Sequence, residues 1–316
     1  MSPCSRKRCF VPDTNCDLGF LSLSECPSWN QTEPTGSEIE NAEGDILMPW
    51  SGRVLGEVDV GFVAGRAKPF IVAIIGPQNA GKTTLLAAWY LLLNHGLDPT
   101  PDQRFAGSFS LEGWEAIASS LRWAPGAPPT FPAHTTSREG RTPGLLHLSF
   151  RQQGRLRDFL FTDAPGEWFQ KWALNADAPE AEGARWLSRH ADAFLFIADC
   201  EALSGNTMGS ARGATQLLAR RLGSEQQDRP VALVWTKSDI PVSDATAKSI
   251  RSVTAQISNL VEFEVSVISE DESASKYGKG LTDLLRWLLE LRRSRTALPR
   301  IESVSSDPLF LFGTRN

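Results

Sequence analysis

From about residue 46 onward, short unbroken apolar runs alternate with stretches whose apolar positions recur at helical spacing. The runs at 70–75, 145–150, 158–162, 193–197, 231–235 and 263–268 predict strands, and the segments 83–94, 211–222, 243–260 and 281–291 predict helices. Strand and helix in turn imply an α/β fold: a mostly parallel central sheet with helices on both faces. The runs at 145–150 and 158–162 are separated by only residues 151–157, which include Arg151-Gln-Gln-Gly154, too short for a crossover helix, so they predict an antiparallel hairpin at the sheet edge. The last helix lines up Leu281, Leu284, Leu285, Leu288 and Leu289 on one stripe and ends in Arg292, Arg293 and Arg295, where positive charge suits the helix dipole. Residues 96–134 hold six prolines and one short helical pattern at 111–123; they read as an insertion.

The 316 residues are 41% hydrophobic, enough for a buried core, and 32 Lys+Arg against 37 Asp+Glu leave a net charge of −5. An acidic balance argues against general nucleic-acid binding, which rests on basic surface. The longest apolar run, 85–93, covers nine residues, where a helix crossing a bilayer needs about 20. No membrane span is therefore expected. Arg6, Lys7 and Arg8 are followed by Cys9-Phe-Val-Pro-Asp-Thr rather than by the apolar stretch of a secretory signal, so a cytoplasmic protein is expected. Residues 27–45 are polar and increasingly acidic and read as a linker.

Three motifs carry chemistry. Gly76-Pro-Gln-Asn-Ala-Gly81-Lys82-Thr83 fits GxxxxGK[ST], a pattern that chance would place in roughly one such chain in a hundred. It follows an apolar strand and opens a helix, the setting in which backbone N–H groups converge on phosphate oxygens. Lys82 then adds a charge at the β- and γ-phosphates, and the Thr83 hydroxyl can ligate Mg²⁺. Thr162-Asp163-Ala-Pro-Gly166-Glu167 contains DxxG. At the tip of a strand beside the phosphate loop, Asp163 can hold Mg²⁺ through a water and the Gly166 N–H can meet a γ-phosphate; the alternative is a β-turn with an Asx cap. Thr236-Lys237-Ser238-Asp239, after the strand 231–235, fits [NT]KxD. The Asp239 carboxylate offers two acceptors to the N1–H and N2–H₂ donors of guanine, a pair that adenine lacks, while Lys237 would lie along the base.

In this order the motifs resemble the Ras-like GTPase superfamily, the P-loop proteins of the translation-factor and small-GTPase class, over residues 46–298. The resemblance implies a P-loop NTPase G-domain that binds and hydrolyses GTP with Mg²⁺. It assigns the nucleotide to Gly76, Asn79, Ala80, Gly81, Lys82, Thr83, Thr84, Gly166, Thr236, Lys237, Asp239, Ser266 and Val267. Phe263-Glu-Val-Ser266-Val-Ile is similar to the family's fifth motif, with Val267 and Ile268 where Ala and Lys are usual; the Val267 N–H would meet the guanine oxygen. The family's switch threonine, which completes the Mg²⁺ shell, has candidates in Thr135, Thr136 and Thr142, and the spacing to Asp163 favours Thr142. Arg138 or Arg141 in the same loop could serve as a built-in arginine finger, or simply keep that loop soluble.

Glu167 stands where small GTPases usually carry a water-orienting Gln. A carboxylate there is repelled by the γ-phosphate unless protonated or paired, so slow turnover is expected; Gln170 could substitute if this segment is helical. Trp168, Trp172 and Trp186 follow, readable as packing of a longer switch helix or as a partner-binding surface, possible partners including a second GTPase. Together with the cysteine-rich N-terminus and the insertion, the Asp-Ala-Pro-Gly-Glu-Trp-Phe run is similar to the bacterial double-GTPase families, which implies paired GTPases of defence systems. A nucleotide-binding scaffold that never turns over is the alternative.

Cys4, Cys9, Cys16 and Cys26 supply the four thiolates of a closed zinc site, although their spacing is not that of a zinc ribbon. The expected organisation is a cysteine-rich segment and linker at 1–45, a GTPase domain at 46–298 and a tail at 299–316. No catalytic role falls to His95, His134, His147 or His190.

Overall fold

The computed structural model describes residue 26 and residues 54–122, 130–131, 144–268 and 278–293. The chain divides into two units, Met1–Met48 and Pro49–Asn316. The second contains a seven-stranded sheet, taken in chain order as β1 Phe70–Ile75, β2 Gln103–Gly107, β3 Leu145–Gln152, β4 Arg155–Thr162, β5 Ala193–Asp199, β6 Val231–Thr236 and β7 Leu260–Glu264. The helices are α1 Val60–Val63, α2 Lys82–Asn94, α3 Leu111–Ala118, α4 Gly166–Leu174, α5 Glu182–His190, α6 Cys200–Ser204, α7 Met208–Glu225, α8 Asp244–Thr254 and α9 Leu281–Glu290.

The spatial order is β2-β3-β4-β1-β5-β6-β7. β4, β1, β5, β6 and β7 run parallel, while β3 is antiparallel to both β2 and β4. The α/β expectation therefore stands. β3 and β4 form the expected hairpin, longer than its apolar run and closed by Gln153 and Gly154, both at positive φ. Beyond it lies β2, a strand contributed by the segment read as an insertion.

Alternation along each central strand feeds two cores. Phe70, Val72 and Ile74 of β1 face α2, α3 and α9, whereas Ile71, Ala73 and Ile75 face α4, α5, α7 and α8. All six residues of β1 and of β6 are buried, as a sheet covered on both faces requires. Within the first core the Trp89 indole donates to Leu281 O at 2.9 Å, tying α2 to α9.

Two sequence expectations shift. The helix expected at 243–260 stops at Thr254, and the strand expected at 263–268 is displaced to Leu260–Glu264. Ile257 and Leu260 continue the helical apolar spacing of α8, but the chain turns between them, with Asn259 at φ 54°. Residues 265–268 are left free to form a loop. Among the described residues, no helix is long and apolar enough to cross a membrane.

Candidate functional site

Parallel pairing of β4, β1, β5 and β6 brings their C-terminal ends to one edge of the sheet, and the loops leaving those ends surround a cavity of about 520 Å³. This is where an open α/β sheet forms a crevice, beside the strand at which its order reverses. The loop after β1 bends through Asn79 at φ 62° and Gly81 at φ 80° before α2 begins, a left-handed excursion that turns backbone N–H groups inward. Lys82 is 7% exposed. Its ammonium donates to Gly76 O at 3.2 Å and Pro77 O at 2.7 Å. Burial pulls its pKa down to about 8, a loss that the nearby Asp163 and Glu167 carboxylates only partly offset.

β4 delivers the second segment. Thr162 Oγ1 accepts from Ile74 N at 3.0 Å, holding the end of β4 to β1. Asp163, next in sequence, then reaches the phosphate loop, where Thr83 Oγ1 donates to its Oδ1 at 2.8 Å. Gly166 lies still closer: a Cβ built on it would stand 2.2 Å from Gln78 N and 2.6 Å from Pro77 C. Only glycine permits that approach. Glu167 and Gln170 are exposed on α4, which starts at Gly166.

The third and fourth segments come from β6 and from the loop after β7. Thr236 Oγ1 donates to Ala80 O at 2.9 Å, joining this strand end to the phosphate loop. Lys237, at φ 53°, places its ammonium between Asp199 Oδ2 at 2.9 Å and Glu201 Oε2 at 2.7 Å. Burial works against that charge, but the hydrogen bonds to Glu201 and Asp199 outweigh it and raise the pKa. Asp239 Oδ1 accepts from Ser266 Oγ at 2.5 Å, and Ser238 N donates to Val265 O at 3.2 Å, so the two loops are locked together.

Asn79, Ala80, Gly81, Lys82, Thr83, Thr84, Gly166, Thr236, Lys237, Asp239, Ser266 and Val267 all line the one cavity. Gly76 is not part of the lining, but its carbonyl accepts from Lys82. Ile268 of the fifth motif lines the cavity too, and so do residues that motif reading passed over: Phe131, Glu201 and Ile240. Phe131, from within residues 96–134, remains 48% exposed. Nothing local in the sequence marks it as a site residue. Thr135, Thr136, Arg138, Arg141 and Thr142 lie outside the described residues, as do Cys4, Cys9 and Cys16; Cys26 is buried and in no disulfide. Among the described residues, no group of three or more His, Cys, Asp or Glu side chains is placed to hold a metal ion.

Of the two readings of Trp168 and Trp172, packing or a partner surface, the positions of the rings favour packing. Trp172 is 1% exposed and packs with Phe169 and Ala173 into the core beneath α4. Trp168 is half-buried, its ring pressed so closely on α5 that a Cβ at Gly183 would come within 2.2 Å of it. The apolar face of α4 points inward because the strands below it need cover. These tryptophans serve packing.

A family model described as Double-GTPase 2 matches residues 70–288. No curated protein matches the chain. Among solved structures, a chain described as Methanosarcina barkeri Roco2 RocCORdC bound to GDP is 14% identical with a TM-score of 0.35. The match covers 70% of this chain and 47% of that one, so the protein spans about half the length of that relative.

Proposed function

The chain belongs to the Double-GTPase 2 family, and on that premise we propose that it binds guanine nucleotide and is a switch that hydrolyses GTP to GDP and phosphate. The observation carrying this reading is the gathering of the phosphate loop, the Asp163–Gly166 turn and the Thr236–Asp239 and Ser266–Ile268 loops around one cavity. Lys82 and the loop N–H groups would hold the β- and γ-phosphates, and Gly166 N–H would meet the γ-phosphate. Asp239, oriented by Ser266, would accept from guanine N1–H and N2–H₂. Val267 N–H would donate to the guanine oxygen, and the Phe131 ring is available to lie against the base.

Thr83 Oγ1 and Asp163 Oδ1, 2.8 Å apart, are the hard oxygen donors that Mg²⁺ takes, so the residues fit that ion. Bound there it would neutralise charge developing on the phosphates. Thr142 as the third oxygen and Arg141 as the arginine finger belong to the same proposal, as do a second GTPase as partner and a place in paired-GTPase defence systems. Glu167, exposed where a neutral amide would orient water, favours a second reading: a nucleotide-binding scaffold without turnover.

Purified protein with excess GTP and Mg²⁺ separates the two. Multiple-turnover phosphate release, absent with ATP, supports the switch. Tight GTP binding without release supports the scaffold, and equal binding of ATP and GTP defeats the guanine assignment.

A further inference from the structure

Hydrolysis requires a group that accepts a hydrogen from the attacking water without being repelled by the γ-phosphate. Glu167 is charged, and Gln170 lies a helical turn farther along the exposed face of α4. A third side chain stands at the phosphate loop itself. Gln78 lines the cavity and is exposed, and its amide makes no hydrogen bond among the described residues.

The position of Gln78 is set by the closest approach in the site. A Cβ on Gly166 would lie 2.2 Å from Gln78 N and 2.7 Å from Gln78 Cα, so Gln78 shares one corner of the cavity with the residue assigned to the γ-phosphate. Its neighbour is fixed: Pro77 O accepts from Lys82 Nζ. A neutral amide supplies Oε1 to accept from water and Nε2 to donate to a phosphate oxygen, both functions in one uncharged group.

We propose that Gln78 is a catalytic residue of this protein, its side-chain amide holding the attacking water in line with the γ-phosphate; this rests on the GTPase reading above. In the step it serves, the water oxygen bonds to the γ-phosphorus as the bond to the β–γ bridging oxygen breaks. The electron pair leaves with GDP, and the water proton ends on the released phosphate. Gln78 is neither protonated nor consumed; it contributes by orientation.

The test is single-turnover GTP hydrolysis with protein in excess, alongside GTP affinity by titration calorimetry, for wild type, Gln78→Ala and Gln170→Ala. Removing a group whose main contact is with the reacting water, and whose single neutral hydrogen bond to phosphate adds little to binding, is expected to slow hydrolysis on the order of a hundredfold and to leave the GTP Kd within about threefold. Gln78→Ala hydrolysing at the wild-type rate overturns the assignment, as does a rate loss explained by weaker GTP binding or one found in Gln170→Ala instead. A wild-type protein that binds GTP but never cleaves it overturns the hydrolysis reading and the role of Gln78 together. Wild-type turnover unaffected by Gln78→Ala removes the role of Gln78 alone.

Discussion

If Lys82 holds the β- and γ-phosphates as proposed, GTP affinity should be sensitive to alkaline pH, in a direction its burial dictates. With an ammonium pKa of about 8 in the free protein, roughly nine-tenths of molecules carry the charge at pH 7 and roughly one-tenth at pH 9. The β- and γ-phosphates favour the charged form, so above pH 8 binding must take up a proton. The apparent affinity should therefore fall about tenfold between pH 7 and pH 9. Titration calorimetry with GTP at these two values measures it. GMP is the comparison ligand, because it shares the base and ribose but brings neither of the phosphates that Lys82 would hold. A GTP affinity flat across this range, or an equal loss for GMP, refutes the reasoning. Stability moves in the opposite sense. The unfolded chain, with Lys82 near 10.5, binds more protons than the folded one between pH 8 and 10.5, so this residue's contribution to the nucleotide-free fold becomes more favourable as pH rises through that window.

Three other changes probe separate parts of the molecule, and one measurement probes the N-terminus. Asp239→Asn places an amide donor against guanine N2–H₂, costing about 3 kcal/mol or on the order of a hundredfold in Kd, and should turn preference from GTP to XTP; competition binding that still favours GTP contradicts the base assignment. Trp172→Ala should destabilise the fold by about 3–5 kcal/mol in urea titration, and a loss below about 1 kcal/mol would mean the side chain is not core. Gly166→Ala must force the Asp163 turn from the phosphate loop, costing about 1–3 kcal/mol and slowing phosphate release; a variant with wild-type release shows that the close approach is dispensable. Protein purified without chelator should carry close to one zinc per chain by elemental analysis if Cys4, Cys9, Cys16 and Cys26 form a thiolate site, and none defeats that idea.

The parts of the site that could be read from the chain are those where chemistry and local geometry coincide. The phosphate loop needs its glycines and Lys82 within eight residues. The strands that position it are buried on both faces, so Phe70–Ile75 and Val231–Thr236 show as unbroken apolar runs. Edge elements were harder to see. β2 holds a single large apolar residue, Phe105, because solvent reaches much of it, and it hid within a proline-rich stretch. β7 is short and largely exposed, Leu260 also falls on the apolar spacing of α8, and the turn between them left no strong punctuation. Phe131 and Glu201 reach the cavity through the folded chain rather than through any motif. Trp172 shows a different ambiguity: a cluster of tryptophans reads equally as core or as interface until the sheet beneath it is in place.

The central position of β1 also bears on how the chain is synthesised. β1 is the first strand of the sheet to be made, yet its neighbours β4 and β5 begin about 85 and about 120 residues later. At 5–20 residues per second, the run Phe70-Ile-Val-Ala-Ile-Ile75 waits on the order of ten seconds with both edges unpaired. An uncharged, proline-free run of six β-forming residues is the kind of segment that pairs with copies of itself on neighbouring nascent chains. Lys68-Pro69 before it and Gly76-Pro77 after it interrupt any such pairing at both ends, so the phosphate loop and the residues leading into β1 also act as guards while the rest of the sheet is still being translated.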